Sequence, residues 1–230
     1  MKINNSLNIF VGLLFLFSCD LDNYSAPHIV LEGKVIDANT GETIQTRQPD
    51  GIKIRLLEEG YENPVPFDFW TKSDGTFKNT RIFAAKYKVL PLEGPFEQSS
   101  VEEISVDLSG NQTITFEVEP FVRLSDVEIA SSSGGIKATY KLSQTTSTKK
   151  ILKSMLICAT SDILHQTTTN KLSSAENSLA EIANGDIANM AFVDEIGNLV
   201  PGITYYARVA VLTENTLNRY NYSPIIEIKL

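Results

Sequence analysis

Along most of this chain, apolar and polar residues alternate with a period of two. Gly51-Ile52-Lys53-Ile54-Arg55-Leu56 sets branched aliphatics against cations, the pattern of a strand with one buried and one wet face. Val30 to Asp37 reads the same way and runs into the turn Asn39-Thr40-Gly41. Ser73-Asp74-Gly75 is a turn between Phe69-Trp70-Thr71 and Thr76-Phe77-Lys78. Lys86 to Val89 and Gln112 to Val118 complete the strands of the first half, where no helical period outlasts a turn or two. Pro120 follows the last of them and sets a boundary near Glu119 to Phe121. Beyond it, strands are predicted at Phe121–Leu124, Gly135–Leu142, Ile151–Ala159, Ile203–Val211 and Ser223–Leu230, with Ile151–Ala159 apolar enough to be central. Ser131 to Gly135 reads as a flexible hairpin loop, and Asn170 to Asn189 is the least strand-like stretch. Within it, Ser173-Ser174-Ala175-Glu176 suits either the cap of a short helix or a polar loop. Short strands with turn signals every ~8–12 residues predict an all-β chain. Its architecture is two tandem β-sandwich domains, residues 28–120 and 121–230.

The first 18 residues break this pattern. Lys2 precedes an apolar run from Ile9 to Phe17, and Ser18 is small. That is the layout of a secretory leader, shorter than the ~20 residues of a membrane-spanning helix. Leu16-Phe17-Ser18-Cys19 resembles the lipobox of bacterial lipoproteins. Cleavage before Cys19 would remove residues 1–18 and leave 19–27 as a lipidated tether, each buried methylene contributing about 0.8 kcal/mol. The alternative is a plain secretory leader with an incidental cysteine. Asp20 and Asp22 resemble the surface-export signal of Bacteroides-type lipoproteins, although an aspartate directly after the cysteine favours the inner membrane in enterobacteria. The resemblance implies a lipid-anchored protein of the outer membrane, exposed at the cell surface.

Composition narrows the partners. The chain carries 20 basic and 28 acidic side chains, a net charge of −8, and the leader holds one of those cations. An acidic chain without a Lys/Arg cluster argues against nucleic acid and against an anionic membrane surface. With Cys19 lipidated, Cys158 has no partner within the chain, and in Met155-Leu156-Ile157-Cys158-Ala159 it reads as a buried small hydrophobe.

Longer patterns resemble known families. Leu31 to Asp37 with Thr40-Gly41-Glu42, then Ser73-Asp74-Gly75-Thr76-Phe77 and Ala84-Ala85-Lys86-Tyr87-Lys88-Val89, resemble carboxypeptidase-regulatory-like, prealbumin-like sandwiches. Ala85 stands where those domains usually have glycine. Pro201 to Val209 and Tyr222-Ser223-Pro224-Ile225-Ile226 resemble the sixth and last strands of a fibronectin type III sandwich, so Tyr205 or Tyr206 would form a tyrosine corner. Cys19 to Tyr24, Gln48 to Tyr61, Asp68-Phe69-Trp70, Asp74 to Arg81 and Arg219-Tyr220-Asn221-Tyr222-Ser223, taken together over the chain, resemble the Bacteroides-type lipoprotein family called domain of unknown function 3823. Such proteins resemble neighbours of paired outer-membrane glycan importers, and the family implies no established activity.

Catalytic chemistry finds no support in the motifs. His28 and His165 lie in different predicted domains, and neither sits in a His-x-x-x-His, Cys-x-x-Cys or Gly-x-Ser-x-Gly context. His165 reads as a half-exposed strand-end residue. Glu58-Glu59 and Glu102-Glu103 are adjacent pairs that in a strand point to opposite faces and cannot flank one glycosidic bond unless a loop bends them together, so they read as solvated carboxylates. Asp74-Gly75 lacks the spaced acids of a calcium loop. Ser131-Ser132-Ser133-Gly134-Gly135 precedes no helix signal that would make it a phosphate cradle. No metal or cofactor is expected, and the chain reads as a non-enzyme.

Binding chemistry has one candidate. Tyr61, Phe67, Phe69, Trp70 and Phe96 flank the turns at Asn63-Pro64-Val65-Pro66 and Gly94-Pro95. Sugar rings present C–H faces that stack on aromatic rings, and tryptophan offers the largest platform. Alternation places Phe67 and Phe69 on one face and Asp68 and Trp70 on the other, so one set packs the core. Trp70 with Tyr61 is the expected ligand-binding pair. The reading is a surface-anchored, non-catalytic lipoprotein, an accessory or glycan-binding component of a polysaccharide-uptake system. Its expected partners are an outer-membrane glycan importer, the importer's glycan-capture lipoprotein, and a polysaccharide. The alternative is a fimbrial or adhesive structural lipoprotein, in which an exposed strand edge would be completed by a neighbouring chain.

Overall fold

A computed structural model describes residues 26–230. The lipobox, Cys19 and the acids that follow it lie outside the described residues. The first half forms two sheets. β1 (Ile29–Asp37) is central to a three-stranded sheet, antiparallel to β4 (Thr76–Ile82) and parallel to β7 (Gln112–Val118). The other sheet has the order β3-β2-β5-β6, all antiparallel. Its members are β3 (Phe67–Trp70), β2 (Lys53–Glu58), β5 (Lys86–Leu92) and β6 (Ile104–Asp107). The alternation predicts which side of each strand faces in. Ile54 and Leu56 are fully buried, whereas Lys53 and Arg55 at the alternate positions are not. Leu31, Val35, Phe77, Val89 and Phe116 close the core from both sheets.

The second half repeats the plan. β8 (Val122–Ser132), β9 (Gly135–Gln144) and β13 (Ala191–Ile196) form a three-stranded sheet. β10 (Ile151–Ala159) and β14 (Thr204–Thr213) are the middle of the other. Around them pair the short strands β11 (Leu172–Ser173), β12 (Asn177–Ser178), β15 (Tyr220–Tyr222) and β16 (Ile226–Lys229). The apolar run in β10 has a simple cause, because both of its faces are covered. Leu156 and Cys158 point between the sheets, while Met155, Ile157 and Ala159 pack on the opposite face with Leu164, Ala210, Tyr220 and Tyr222.

Four details differ from the expectation. β6, β13 and β15 lie where the pattern marked no strand. In β13 the buried positions are Phe192, Asp194 and Ile196, so a carboxylate breaks the apolar period. Asp194 survives burial because Tyr140 donates to it at 2.9 Å and Asn177 at 2.9 Å. Residues 173–176 are neither helix cap nor simple loop, since β11 and β12 flank this stretch and both pair with β10; a four-residue helix, α1, comes later at Asn184–Ile187. Ser131 and Ser132 belong to β8, and the hairpin turn is Ser133-Gly134, with Gly134 at φ +79°. His165 sits in a turn rather than at a strand end.

Tyr205 makes the tyrosine corner. It is buried, and its hydroxyl accepts the Val200 backbone N–H at 3.2 Å, five residues upstream. Tyr205→Phe is expected to reduce stability by about 1 kcal/mol, because an amide loses its acceptor. Urea denaturation of the two proteins would measure this, and an unchanged midpoint would remove the corner's role.

Candidate functional site

The outer face of the sheet β3-β2-β5-β6 carries the aromatic candidate. Register sets Lys53 opposite Trp70 and Arg55 opposite Asp68, so these four side chains share the wet face. Arg55 grips Asp68 with two bonds, Nε to Oδ1 at 2.8 Å and Nη2 to Oδ2 at 2.7 Å. That grip holds the Asp68 carboxyl below its ordinary value, and the guanidinium is raised in return. Trp70 is 37% exposed. The Lys53 ammonium lies 5.2 Å from its ring centroid and the Arg219 guanidinium 5.9 Å. Lys53 also pairs with Glu93. An indole plate ringed by fixed donors and acceptors can stack on the C–H face of a polar ring while hydrogen-bonding its hydroxyls.

The inward side of the same hairpin is structural. Phe69 packs edge-on against Phe77 with centroids 6.0 Å apart, and Phe77 continues to Phe116 at 6.3 Å. Phe67 caps this column at 6.1 Å from Phe69, half exposed, and Phe96 is buried. Tyr61 is 65% exposed in the loop between β2 and β3. Trp70 stands at the far end of β3, roughly 10 Å of strand away from that loop. The hairpin therefore holds the two expected ligand-binding residues at opposite ends.

Arg219 brings the second domain to Trp70. Its Nη1 donates to the Asp50 backbone oxygen at 2.7 Å and lies 3.4 Å from the Asp50 carboxylate, and its Nη2 is 3.5 Å from Glu93. Burial raises the Asp50 carboxyl, but Arg47 and Arg219 outweigh it and the net direction is down. Two residues on, Asn221 donates to the Pro95 carbonyl at 2.9 Å. Arg208 on β14 is fully buried and donates to Thr46 O and Leu164 O, both at 3.1 Å. Across the junction Arg123 pairs with Asp37 and Glu119. A groove of about 840 Å³ opens beside Arg219, between Glu93 and Phe96 on one wall and Lys149 and Leu217 on the other. Sequence reasoning missed Lys53, Glu93 and Arg219 as neighbours of Trp70. The signals were two runs set apart by their family resemblance, Gln48 to Tyr61, which holds Lys53, and Arg219 to Ser223; Glu93 lay in neither.

The remaining candidates are dispersed. Burial pushes the Cys158 thiol up to about 11, so it is protonated at neutral pH. His28 is exposed, and His165 is held below its ordinary value by burial and then by Arg47. Glu103 pairs with Lys88, and Glu59 accepts from Ser105. Among the described residues no group of three His, Cys, Asp or Glu side chains could hold a metal ion, and no helix is long and apolar enough to cross a membrane.

Residues 29–119 match the family model described as protein of unknown function (DUF3823), N-terminal domain. No curated protein matches the chain. Solved structures share the fold across both domains. A DUF3823 family protein from Bacteroides ovatus aligns with a TM-score of 0.73 at 21% identity, covering 88% of this chain and 99% of that one. Another, from Parabacteroides merdae, aligns at 0.72 and 22%, covering 89% and 100%. A candidate carbohydrate-binding protein from Bacteroides uniformis aligns at 0.69 and 22%, with the same coverage.

Proposed function

On the premise that residues 29–119 are a DUF3823 N-terminal domain, we propose that this chain is a non-catalytic, surface-anchored lipoprotein that binds glycan on the Trp70 face. The observation that carries the reading is the half-open indole of Trp70, with Lys53, Glu93 and Arg219 around its rim. Large aromatic rings in folded domains are mostly spent on the core, and this chain has a single tryptophan. Leaving it on a wet sheet face gives up burial, which a ligand would restore. The carbohydrate-binding description of the Bacteroides uniformis protein supports the same reading. The tether at Cys19 would keep the face at the outer membrane, where an importer and its glycan-capture lipoprotein are the partners to look for.

Trp70→Ala is expected to weaken glycan binding at least tenfold, about 1.4 kcal/mol, with the melting temperature little changed. Tyr61→Ala alone leaves short oligosaccharides unaffected and weakens only chains long enough to span the hairpin. Calorimetric titration of the mature protein against a polysaccharide panel measures both effects, and recovery of intact glycan checks for the absence of turnover. Undiminished binding by Trp70→Ala would reject the face. Pull-down of the lipidated protein from outer membranes tests the partners, and recovery of pilin-like subunits in place of an importer would turn the reading to the fimbrial alternative.

A further inference from the structure

Building on the glycan reading above, we infer that the saccharide taken at Trp70 is acidic, its carboxylate or sulfate held by Lys53 and Arg219. The charge distribution carries this. The chain as a whole is net −8, yet the ionic network that reaches Trp70 runs the other way. It contains Arg47, Lys53, Arg55 and Arg219 against Asp50, Asp68 and Glu93. Behind it the buried Arg208 donates to two carbonyl oxygens and stacks on the Tyr222 ring, with no carboxylate paired to it among the described residues.

The pairing is uneven within that network. Arg55 and Asp68 satisfy each other and leave no surplus. Glu93 is the carboxylate shared by both cations that flank the indole, and Arg219 Nη1 also donates to the Asp50 backbone oxygen at 2.7 Å. Glu93 is engaged with Lys53, and its distance to Arg219 Nη2 is 3.5 Å, beyond the 2.7–2.9 Å typical of a charge-assisted bond. Asp50 does not make up the difference, since Arg47 binds its carboxylate and Arg219 reaches it only at 3.4 Å. Among the described residues Arg219 Nε has no hydrogen-bond partner, although only 6% of the residue is exposed. Holding a guanidinium there with incomplete pairing costs desolvation that an anion at the rim of the indole would offset. A neutral sugar would stack on Trp70 and leave this surplus as it is. An acidic one would stack and also neutralise it.

The test titrates the mature chain with matched pairs that share a backbone. One pair is polygalacturonate and its methyl ester, and the other is a sulfated galactan and its desulfated form. The acidic member of at least one pair is expected to bind roughly tenfold tighter or more, with the advantage shrinking as salt rises. Which pair responds separates carboxylate from sulfate. Lys53→Gln, on the partly exposed face, is expected to erase the preference while keeping the fold. Arg219→Gln serves as a second variant, accepted only if its circular dichroism matches the parent. Equal binding of both members, still lost in Trp70→Ala, would overturn the acidic preference and leave the glycan reading standing. Binding of neither pair, with a wider neutral panel also silent, would overturn both.

Discussion

Arg208→Ala is expected to destabilise the protein by about 3–5 kcal/mol, a fall in melting temperature of roughly 10 °C. β14 places Arg208 opposite Ile157, on the sheet face turned toward the first domain. One nitrogen donates to two carbonyls, Thr46 from the first domain and Leu164 from the second, and the guanidinium stacks on Tyr222 at 3.8 Å. Such a stack is worth about 2 kcal/mol when desolvated. Alanine removes the stack and both bonds and leaves a large hollow. One contribution works in the opposite direction. Burial lowers the arginine from its ordinary value to about 9, so the charged form resists burial. Below about pH 9 folded and unfolded chains are both protonated there, and the full desolvation cost opposes folding. The cost is relieved only as pH rises above about 9, where the folded state releases its proton before the unfolded chain does. Arg208→Met separates these contributions, since methionine fills space and carries no charge. Its loss is expected to be less than half that of alanine. Trp70, the sole tryptophan, reports the junction because Arg219 leans on its ring. Its emission is expected to shift red in Arg208→Ala. An alanine variant as stable as the parent would mean that the junction does not depend on this residue.

The period-two pattern announced most strands because strand burial is a local property. A side chain at every second position faces the core whatever its partners, so β1, β2 and β7 were legible from that alternation, and β10 and β14 from their continuous apolar runs. β13 was not, because Asp194 occupies an inward position and is satisfied by Tyr140 and Asn177, which lie far away in sequence. The site followed the same division. Alternation along β3 separated Phe69 from Trp70 without saying which of them faced the core, and the structure turns Phe69 inward and Trp70 outward. Nothing local could bring Arg219 to it, since the contact depends on how the second domain is seated on the first. The same limit applied to Tyr61 and Trp70. Nine residues apart in sequence, they suggest one patch until the β2–β3 register shows them at opposite ends of the hairpin. Arg208 was hidden for a different reason. It reads as one polar residue in an apolar strand, and only tertiary structure shows that a second layer covers that face.

Gly33→Ala is expected to cost about 3 kcal/mol or more, at the top of the range for overpacking a core. Gly33 lies at the centre of β1, paired with Phe77 on one side and Ile114 on the other. A Cβ there would fall 1.9 Å from the Ile114 carbonyl oxygen and 2.7 Å from Phe77 Cζ. The first obstacle is backbone of the neighbouring strand, so rotation of a side chain cannot relieve it. β1 and β7 would have to separate, weakening the parallel ladder that joins them. Gly110 provides the contrast. Its added Cβ meets nothing within 4 Å, and Gly110→Ala is expected to be neutral or to stabilise by a few tenths of a kcal/mol through the unfolded chain. A denaturation series on the two variants measures the difference directly, and equal midpoints would mean that β1 accommodates a methyl group. The effect should also reach the ligand face. Phe77 is the middle of the column Phe116–Phe77–Phe69, and Phe69 shares β3 with Trp70. Pushing Phe77 aside tilts the strand that carries the indole. Whatever Gly33→Ala protein remains folded should therefore bind glycan more weakly, although Gly33 lies in the opposite sheet from the ligand.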